Sequence, residues 1–275
     1  MNFLSVLIIT LNEEKNIARC IDSVKRVADE VIILDCYSND NTIEIARSMG
    51  ATIYQQKFKG YIEQKNCALR LATYDFILSL DADEAIDETL ELAILKEKTA
   101  FIYPAYSMNR CNNYCGRFIR HGLWYPDKKI RLFDRRVAKW GGMNPHDKIE
   151  LASNCSVRHL SGEIQHFSYD SIEEHIQQNN KLSSIAAHSL YKKGKRINWT
   201  RLLINPCWAF IKGYFLRLGF LDGFYGFVIA INTSHQTFLK YIKLYHLQRT
   251  ATKKPASIVT STIQRINKRS HQKIS

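Results

Sequence analysis

No two of the seven cysteines (Cys20, Cys36, Cys67, Cys111, Cys115, Cys155, Cys207) are separated by the two residues that zinc and dithiol sites favour, and an odd number of thiols fits a reducing compartment. The N-terminus has no basic leader and reaches acid by Glu13, so a first strand is expected there and not a signal peptide. No uncharged run reaches the roughly 20 apolar residues that a membrane span needs. In the most aromatic stretch, Trp199 to Leu247, Lys212, Arg217 and Asp222 interrupt the pattern. Acid is almost missing from the C-terminal part: after Glu174 only Asp222 stands against 17 basic residues. The net charge of +13 is therefore uneven, with 11 basic and 17 acidic residues in 1–100 and the whole positive excess beyond. Such a surface suits polyanions. Nucleic acid, anionic lipid and phosphorylated saccharide all meet it, and charge does not choose among them.

What is present first is an alternation of short apolar runs with segments of helical period, the pattern of a doubly wound parallel α/β sheet. Strands are expected at Phe3 to Thr10, Glu30 to Asp35, Ala51 to Gln55 and Asp75 to Leu80. Helices are expected after Asn12, read as a cap, after Asp40 or Asn41, and from Tyr61 to Ala72. The polar residues of interest follow strand ends: Thr10, Asn12 and Glu13 after the first, Asp35 after the second, Asp81 and Asp83 after the fourth. In such sheets, side chains from separate loops converge at the carboxyl ends of the strands, so these residues are expected on one rim. Short strands (Phe101 to Tyr106, Ile130 to Phe133, Ser156 to Leu160, Glu163 to Phe167) separated by polar, aromatic loops follow. A helix from Ser171 to Lys192 comes next, then one or two amphipathic helices broken near Gly219 to Gly226 and suited to a membrane interface or a second subunit. The expected division is 1–196 for a catalytic domain, 197–249 for the aromatic helices and 250–275 for a basic tail.

Asp81-Ala82-Asp83-Glu84 brings carboxylates together at the sheet edge. They repel one another unless a cation is present, and a hard divalent ion, Mg²⁺ or Mn²⁺, holding a substrate diphosphate is the natural partner.

The segments Val6 to Glu14, Ile33 to Thr42 and Leu80 to Glu84 resemble the three successive motifs of family 2 inverting glycosyltransferases. The resemblance implies a GT-A fold, an α/β nucleotide-diphospho-sugar transferase with a mostly parallel sheet, here followed by an amphipathic helical extension. It implies that Thr10, Asn12, Glu13 and Asp35 hold uridine, that Asp81 sits toward the ribose or sugar, and that Asp83 ligates the metal ion. Gly60 to Leu69 is similar to the stretch that places a basic residue near the pyrophosphate, which points to Lys65. An inverting transfer needs one general base for the acceptor hydroxyl. By resemblance this is Asp147, in Asn144 to Lys148, after the glycine-containing loop Trp140 to Met143. His166 stands near where some enzymes of this fold place a further metal or phosphate ligand, and Arg131 is expected to face acceptor or phosphates.

Leu218 to Phe227 and Phe238 to Leu244 resemble the C-terminal half of the lipopolysaccharide inner-core β-glucosyltransferases within that family. This implies UDP-glucose as donor, a lipid-linked, heptose-containing acceptor, and an anionic membrane surface at the inner face of the cytoplasmic membrane as the place of work. A homo-oligomer is allowed and a nucleic-acid partner is not expected. Three rivals share parts of the pattern: a polyprenyl-phosphate or protein glycosyltransferase with the same donor residues, a nucleotidyltransferase that turns over a nucleoside triphosphate, and a non-catalytic basic binding module that leaves the strand-end carboxylates without a role.

Overall fold

The computed structural model describes residues 2–143 and 146–252, so the expected tail lies almost wholly outside the described residues. In chain order the elements are β1 (Leu4–Thr10), α1 (Ile17–Val24), β2 (Glu30–Asp35), α2 (Thr42–Ser48), β3 (Thr52–Gln55), α3 (Tyr61–Leu71), β4 (Phe76–Asp81), β5 (Glu84–Ile86), α4 (Glu88–Lys98), β6 (Ala105–Tyr114), β7 (Arg117–Phe118), β8 (Asp127–Asp134), β9 (Ala138–Met143), β10 (His146–Leu151), β11 (Val157–Tyr169), α5 (Ile172–Lys192), α6 (Trp199–Ile211) and α7 (Gly223–Thr252). A π-helical turn (Lys212–Leu216) and a 3₁₀ turn (Gly219–Asp222) connect the last two. The described residues form two compact units, divided between Ile172 and Glu173.

The first unit is built on a sheet of order β3-β2-β1-β4-β8-β6-β11-β5, with β7 on β6. β3, β2, β1 and β4 run parallel, and β8 enters antiparallel to both β4 and β6. β1 is apolar along its length because both its faces are covered. Leu4, Val6 and Ile8 pack with Ile17, Ile21 and Val24 on one side, while Leu7 packs with Ile32, Ala68, Ile77 and Phe133 on the other. The helices on both faces leave the carboxyl ends of β1, β2 and β4 open as a rim.

Several local readings change. Asn12 does not cap α1; it sits at φ 56° four residues before Asn16, which directly precedes that helix. The two strands expected at 156–160 and 163–167 are one strand, β11, with an irregularity between His159 and Glu163. The turn comes at Gly162 (φ +89°), where a Cβ would lie 2.2 Å from the Leu90 backbone nitrogen, so the strand is crossed there by the first turn of α4. Asp87 caps that helix, its carboxylate accepting from Leu90 N–H at 2.7 Å. The glycine-containing loop is half of a hairpin: β9 and β10 pair antiparallel, Trp140 opposite Ile149.

In the second unit, α5 groups with the C-terminal helices and not with the sheet. Its buried residues are His175, Asn179, Ser183 and Ala187, and Asn179 Nδ2 donates to the Asn232 carbonyl of α7 at 3.4 Å. Lys243 of α7 donates to Asn180, Ser183 and Ser184 of α5 at 2.7–2.9 Å, so one cation of the basic excess is structural. The break near 219–226 is where expected. A Cβ on Gly226 would meet the Gly219 carbonyl oxygen at 1.9 Å. Trp199–Leu216 and Gly219–Thr250 are bent by 72°. Among the described residues no single helix is long and apolar enough to cross a membrane, although this bent pair passes on length and composition together. Its outward side carries Trp208 (54% exposed), Phe215 (54%) and Phe224 (66%).

Candidate active site

Two cavities open on the rim and share one residue, Asp81. The first, about 370 Å³, is lined by Ile9, Thr10 and Glu13 after β1, Cys36 after β2, Phe58 and Tyr61 before and on α3, Asp83 after β4, and His166 of β11. The second, about 510 Å³, is lined by Lys65 of α3, Arg110 of β6, Lys128, Lys129 and Arg131 of β8, Trp140 of β9, and Asp147, Lys148 and Ile149 of β10.

The loops bounding the first cavity are knitted by side chain to backbone bonds. Asn12 Oδ1 accepts from Asn39 N–H at 2.9 Å, Ser38 Oγ accepts from Asn12 N–H at 2.8 Å, and Thr42 Oγ1 accepts from Glu13 N–H at 2.8 Å. Asp35 is fully buried and accepts from Ser38 N–H at 2.9 Å, the Ser38 hydroxyl, and Gln55 Nε2 at 3.1 Å. Asn12 and Asp35 thus stand behind the wall, shaping the loops, and Thr10 and Glu13 are on it. Burial raises the proton affinity of the Glu13 carboxyl; the Asn16 amide pulls against this, and nearby Asp83 adds to it. Burial, assisted by Asp35, pushes the Cys36 thiol up to about 11, so it is a neutral wall residue.

Asp83 Oδ2 lies 3.1 Å from His166 Nε2, and the other ring nitrogen lies 2.7 Å from Asn112 Oδ1 and 2.9 Å from Ser168 Oγ. A carboxylate and an imidazole side by side on a cavity wall, the ring held from behind, are a fitting donor pair for a divalent ion that takes its other ligands from substrate oxygens and water. Among the described residues no three side chains of metal-binding type gather.

In the second cavity a lysine only 3% exposed joins two carboxylates: Lys65 Nζ lies 2.9 Å from Asp81 Oδ1 and 2.8 Å from Asp147 Oδ2. Arg131, 4% exposed, donates through Nη2 to Asp81 at 3.2 Å and to Glu84 at 2.8 Å. Burial works against the ionised form of Asp81, yet Lys65 and Arg131 hold its carboxyl well below the usual range. Lys65 is aimed from behind. Asn66, its neighbour on α3, donates to the Trp140 carbonyl at 2.8 Å and accepts from Trp140 N–H at 3.1 Å, clamping α3 to β9, and the ammonium sits 4.3 Å from the Trp140 ring centre.

The structure therefore brings Thr10, Glu13, Asp81, Asp83 and His166 to one cavity and Lys65, Asp81, Arg131 and Asp147 to its neighbour. Sequence reasoning noted Glu84 in the carboxylate cluster but gave it no role. It is 1% exposed, accepts from Asp81 N–H at 3.0 Å, and pairs with Arg131 and Arg110. Its signal was present, because a third acid directly after a paired carboxylate needs a cation of its own. Tyr61, Arg110 and Trp140 had no comparable signal.

The glycosyl transferase family 2 model matches residues 5–149. The chain belongs to that family. It is 32% identical over 262 residues, 90% of this chain and 88% of the relative, to an uncharacterized glycosyltransferase of Rickettsia typhi. It is 28% identical to the lipopolysaccharide core biosynthesis glycosyltransferase LpsC of Rhizobium meliloti, covering 88% of this chain and 92% of LpsC. Among solved structures, Staphylococcus aureus TarS aligns with a TM-score of 0.44 at 16% identity, over 86% of this chain and 55% of TarS. Glucosyl-3-phosphoglycerate synthase of Mycobacterium tuberculosis, in complex with Mn²⁺ and UDP-glucose, aligns with a TM-score of 0.34 at 22% identity, over 41% of this chain and 44% of that one. The two cavities of this family 2 glycosyltransferase open at the carboxyl ends of its parallel strands, the general ligand-binding edge of open α/β sheets.

Proposed function

We propose that this glycosyltransferase moves a hexose, glucose from UDP-glucose, with inversion onto a lipid-linked saccharide such as the heptose of a lipopolysaccharide inner core. The observation that carries the reading is the shared wall: Asp81 separates a cavity holding the Asp83–His166 pair from one holding Asp147. The likeness to LpsC supports the choice of acceptor.

In this reading uridine lies in the first cavity against Thr10, Glu13 and Tyr61, with Asn12 and Asp35 fixing the loops around it. Asp83 and His166 would hold a divalent ion, Mg²⁺ or Mn²⁺, which when bound neutralises the donor diphosphate. Asp81 faces the ribose or sugar. Asp147, its Oδ2 held by Lys65, takes the proton of the acceptor hydroxyl as that oxygen bonds to the anomeric carbon. The bond from that carbon to the diphosphate breaks on the far side, and UDP leaves with the electron pair. Lys65 joins Asp147 to Asp81 and Arg131 joins Asp81 to Glu84, so the two cations fix the base and the sugar-facing carboxylate at the wall between the cavities. The outward aromatics of α6 and α7, with the basic excess after Glu174, seat the enzyme on an anionic membrane surface at its cytoplasmic face, as expected of a basic amphipathic surface.

Calorimetric titration of UDP-glucose, UDP-galactose and UDP-N-acetylglucosamine with and without Mn²⁺ tests this. Metal-dependent binding, strongest for UDP-glucose and reduced at least about tenfold in Asp83→Ala, is expected. Asp147→Asn should keep that binding and lower turnover by about 10²–10⁴-fold, the usual contribution of a general base. Absence of binding by any nucleotide sugar to the folded protein overturns the reading.

A further inference from the structure

The charges around the second cavity do not balance, and the surplus has a definite place. Four of its cations are matched by carboxylates. Lys65 pairs with Asp81 and Asp147, Arg131 with Asp81 and Glu84, Arg110 with Glu84 and Asp127, and Lys129 Nζ with Asp127 at 3.0 Å. That is four cations to four carboxylates. Lys128 and Lys148, exposed on β8 and β10, also line the cavity, and among the described residues neither has an ion-pair partner. Two positive charges are left over.

A second observation concerns hydrogen bonding. Arg131 Nη1 and Trp140 Nε1 are buried with no hydrogen-bond partner, and both side chains are 4% exposed on this cavity's wall. Guanidinium and indole nitrogens are donors only. A buried donor without an acceptor costs about 1–3 kcal/mol, so a side-chain shift that turns these two toward the cavity is favoured by a guest rich in acceptor oxygens.

We propose that the second cavity is an anion-reading acceptor subsite, in which Lys128 and Lys148 select a sugar that carries a phosphate monoester close to its reacting hydroxyl. This rests on the acceptor assignment above and deepens it. A phosphate monoester carries close to two negative charges at neutral pH and three acceptor oxygens, which matches both the surplus and the leftover donors. The same chemistry is present in the donor diphosphate, so the test separates the two sources.

The probes are glucose 6-phosphate, glucuronate and glucose, titrated into the full chain with and without saturating UDP and Mn²⁺. They are followed by the Trp140 indole N–H resonance, assigned with Trp140→Phe among the four tryptophans. Glucose 6-phosphate should shift that resonance whether or not UDP is present, with glucuronate binding more weakly and glucose not at all. In Lys128→Gln/Lys148→Gln, both positions being exposed, glucose 6-phosphate should bind at least tenfold more weakly while UDP affinity moves less than twofold. An unchanged affinity for glucose 6-phosphate in the variant, equal binding of glucose or glucuronate, or a loss falling on UDP instead overturns the proposal. Failure of UDP to bind the wild type would sink the donor reading and leave the sugar phosphate titration to be judged by itself.

Discussion

Removing Lys65 is the most informative perturbation of this site, because its ammonium holds two carboxylates that no other described residue joins. At 2.8 Å and an effective dielectric near 20, its attraction to Asp147 is about 6 kcal/mol before desolvation. Burial of a lysine that is 3% exposed and an aspartate that is 15% exposed cancels more than half of this, leaving a coupling of about 1.5–3 kcal/mol. The single variants should differ. Asp147→Asn leaves Lys65 paired with Asp81 and should cost about 1.5–3 kcal/mol, as for one hydrogen bond to a charged group. Lys65→Met leaves Asp81, Asp147 and Glu84 facing Arg131 and should cost about 3–5 kcal/mol, the range for stripping one partner from a buried pair. The double variant should be more stable than the sum of the singles predicts by the coupling energy. Urea unfolding of all four proteins at pH 7, with equal m-values as the control, reads each number. A coupling below about 0.5 kcal/mol, the usual limit of additivity for independent sites, refutes the reasoning.

Gly162→Ala forces a Cβ onto the Leu90 backbone at a positive φ, so a loss of about 3 kcal/mol or more in unfolding free energy is expected, and a near-neutral result would contradict the close approach of β11 and α4. His175, 2% exposed, has its proton affinity pushed down to about 4 by burial. Its folded pKa lies below the unfolded value of about 6.5, so the stability it confers is fully present above that value and is lost as pH falls from 6.5 toward 4, by about 2–3 kcal/mol at one pKa unit per 1.36 kcal/mol. Urea midpoints of wild type and His175→Gln between pH 7.5 and 4 should converge on the acid side, and parallel curves would disprove this. Replacing Phe215 and Phe224 by Ser should weaken binding to vesicles containing anionic lipid by about 10–100-fold at roughly 1 kcal/mol or more per half-buried ring, and unchanged sedimentation with vesicles would remove the membrane assignment.

The N-terminal strands were legible because β1, β2 and β4 are apolar runs covered on both faces and end in polar residues. The site was legible where a carboxylate follows a strand end directly, as at Asp81 and Asp83. What failed to show had weaker patterning. In β9 and β10 the inward Trp140 and Ile149 are diluted by Gly141, Gly142, Lys148 and Glu150, so the hairpin reads as a loop. α4 carried its cap Asp87 and buried Leu90 and Ile94, but its acids and lysines obscured the apolar period. Asn12 and Asp35 were placed in the right loops; that they face the chain and not the cavity depends on Ser38, Asn39 and Gln55, partners no motif contains.

The apposition of Gly219 and Gly226 has a wider consequence. An elbow made where one backbone rests on another, with the buried Asp222 side chain beside the contact, has little at its pivot to be exchanged, so its angle is insulated from drift in the surrounding sequence. The aromatics on either arm are free to be retuned, ring by ring, to a different surface while the frame that presents them keeps its form.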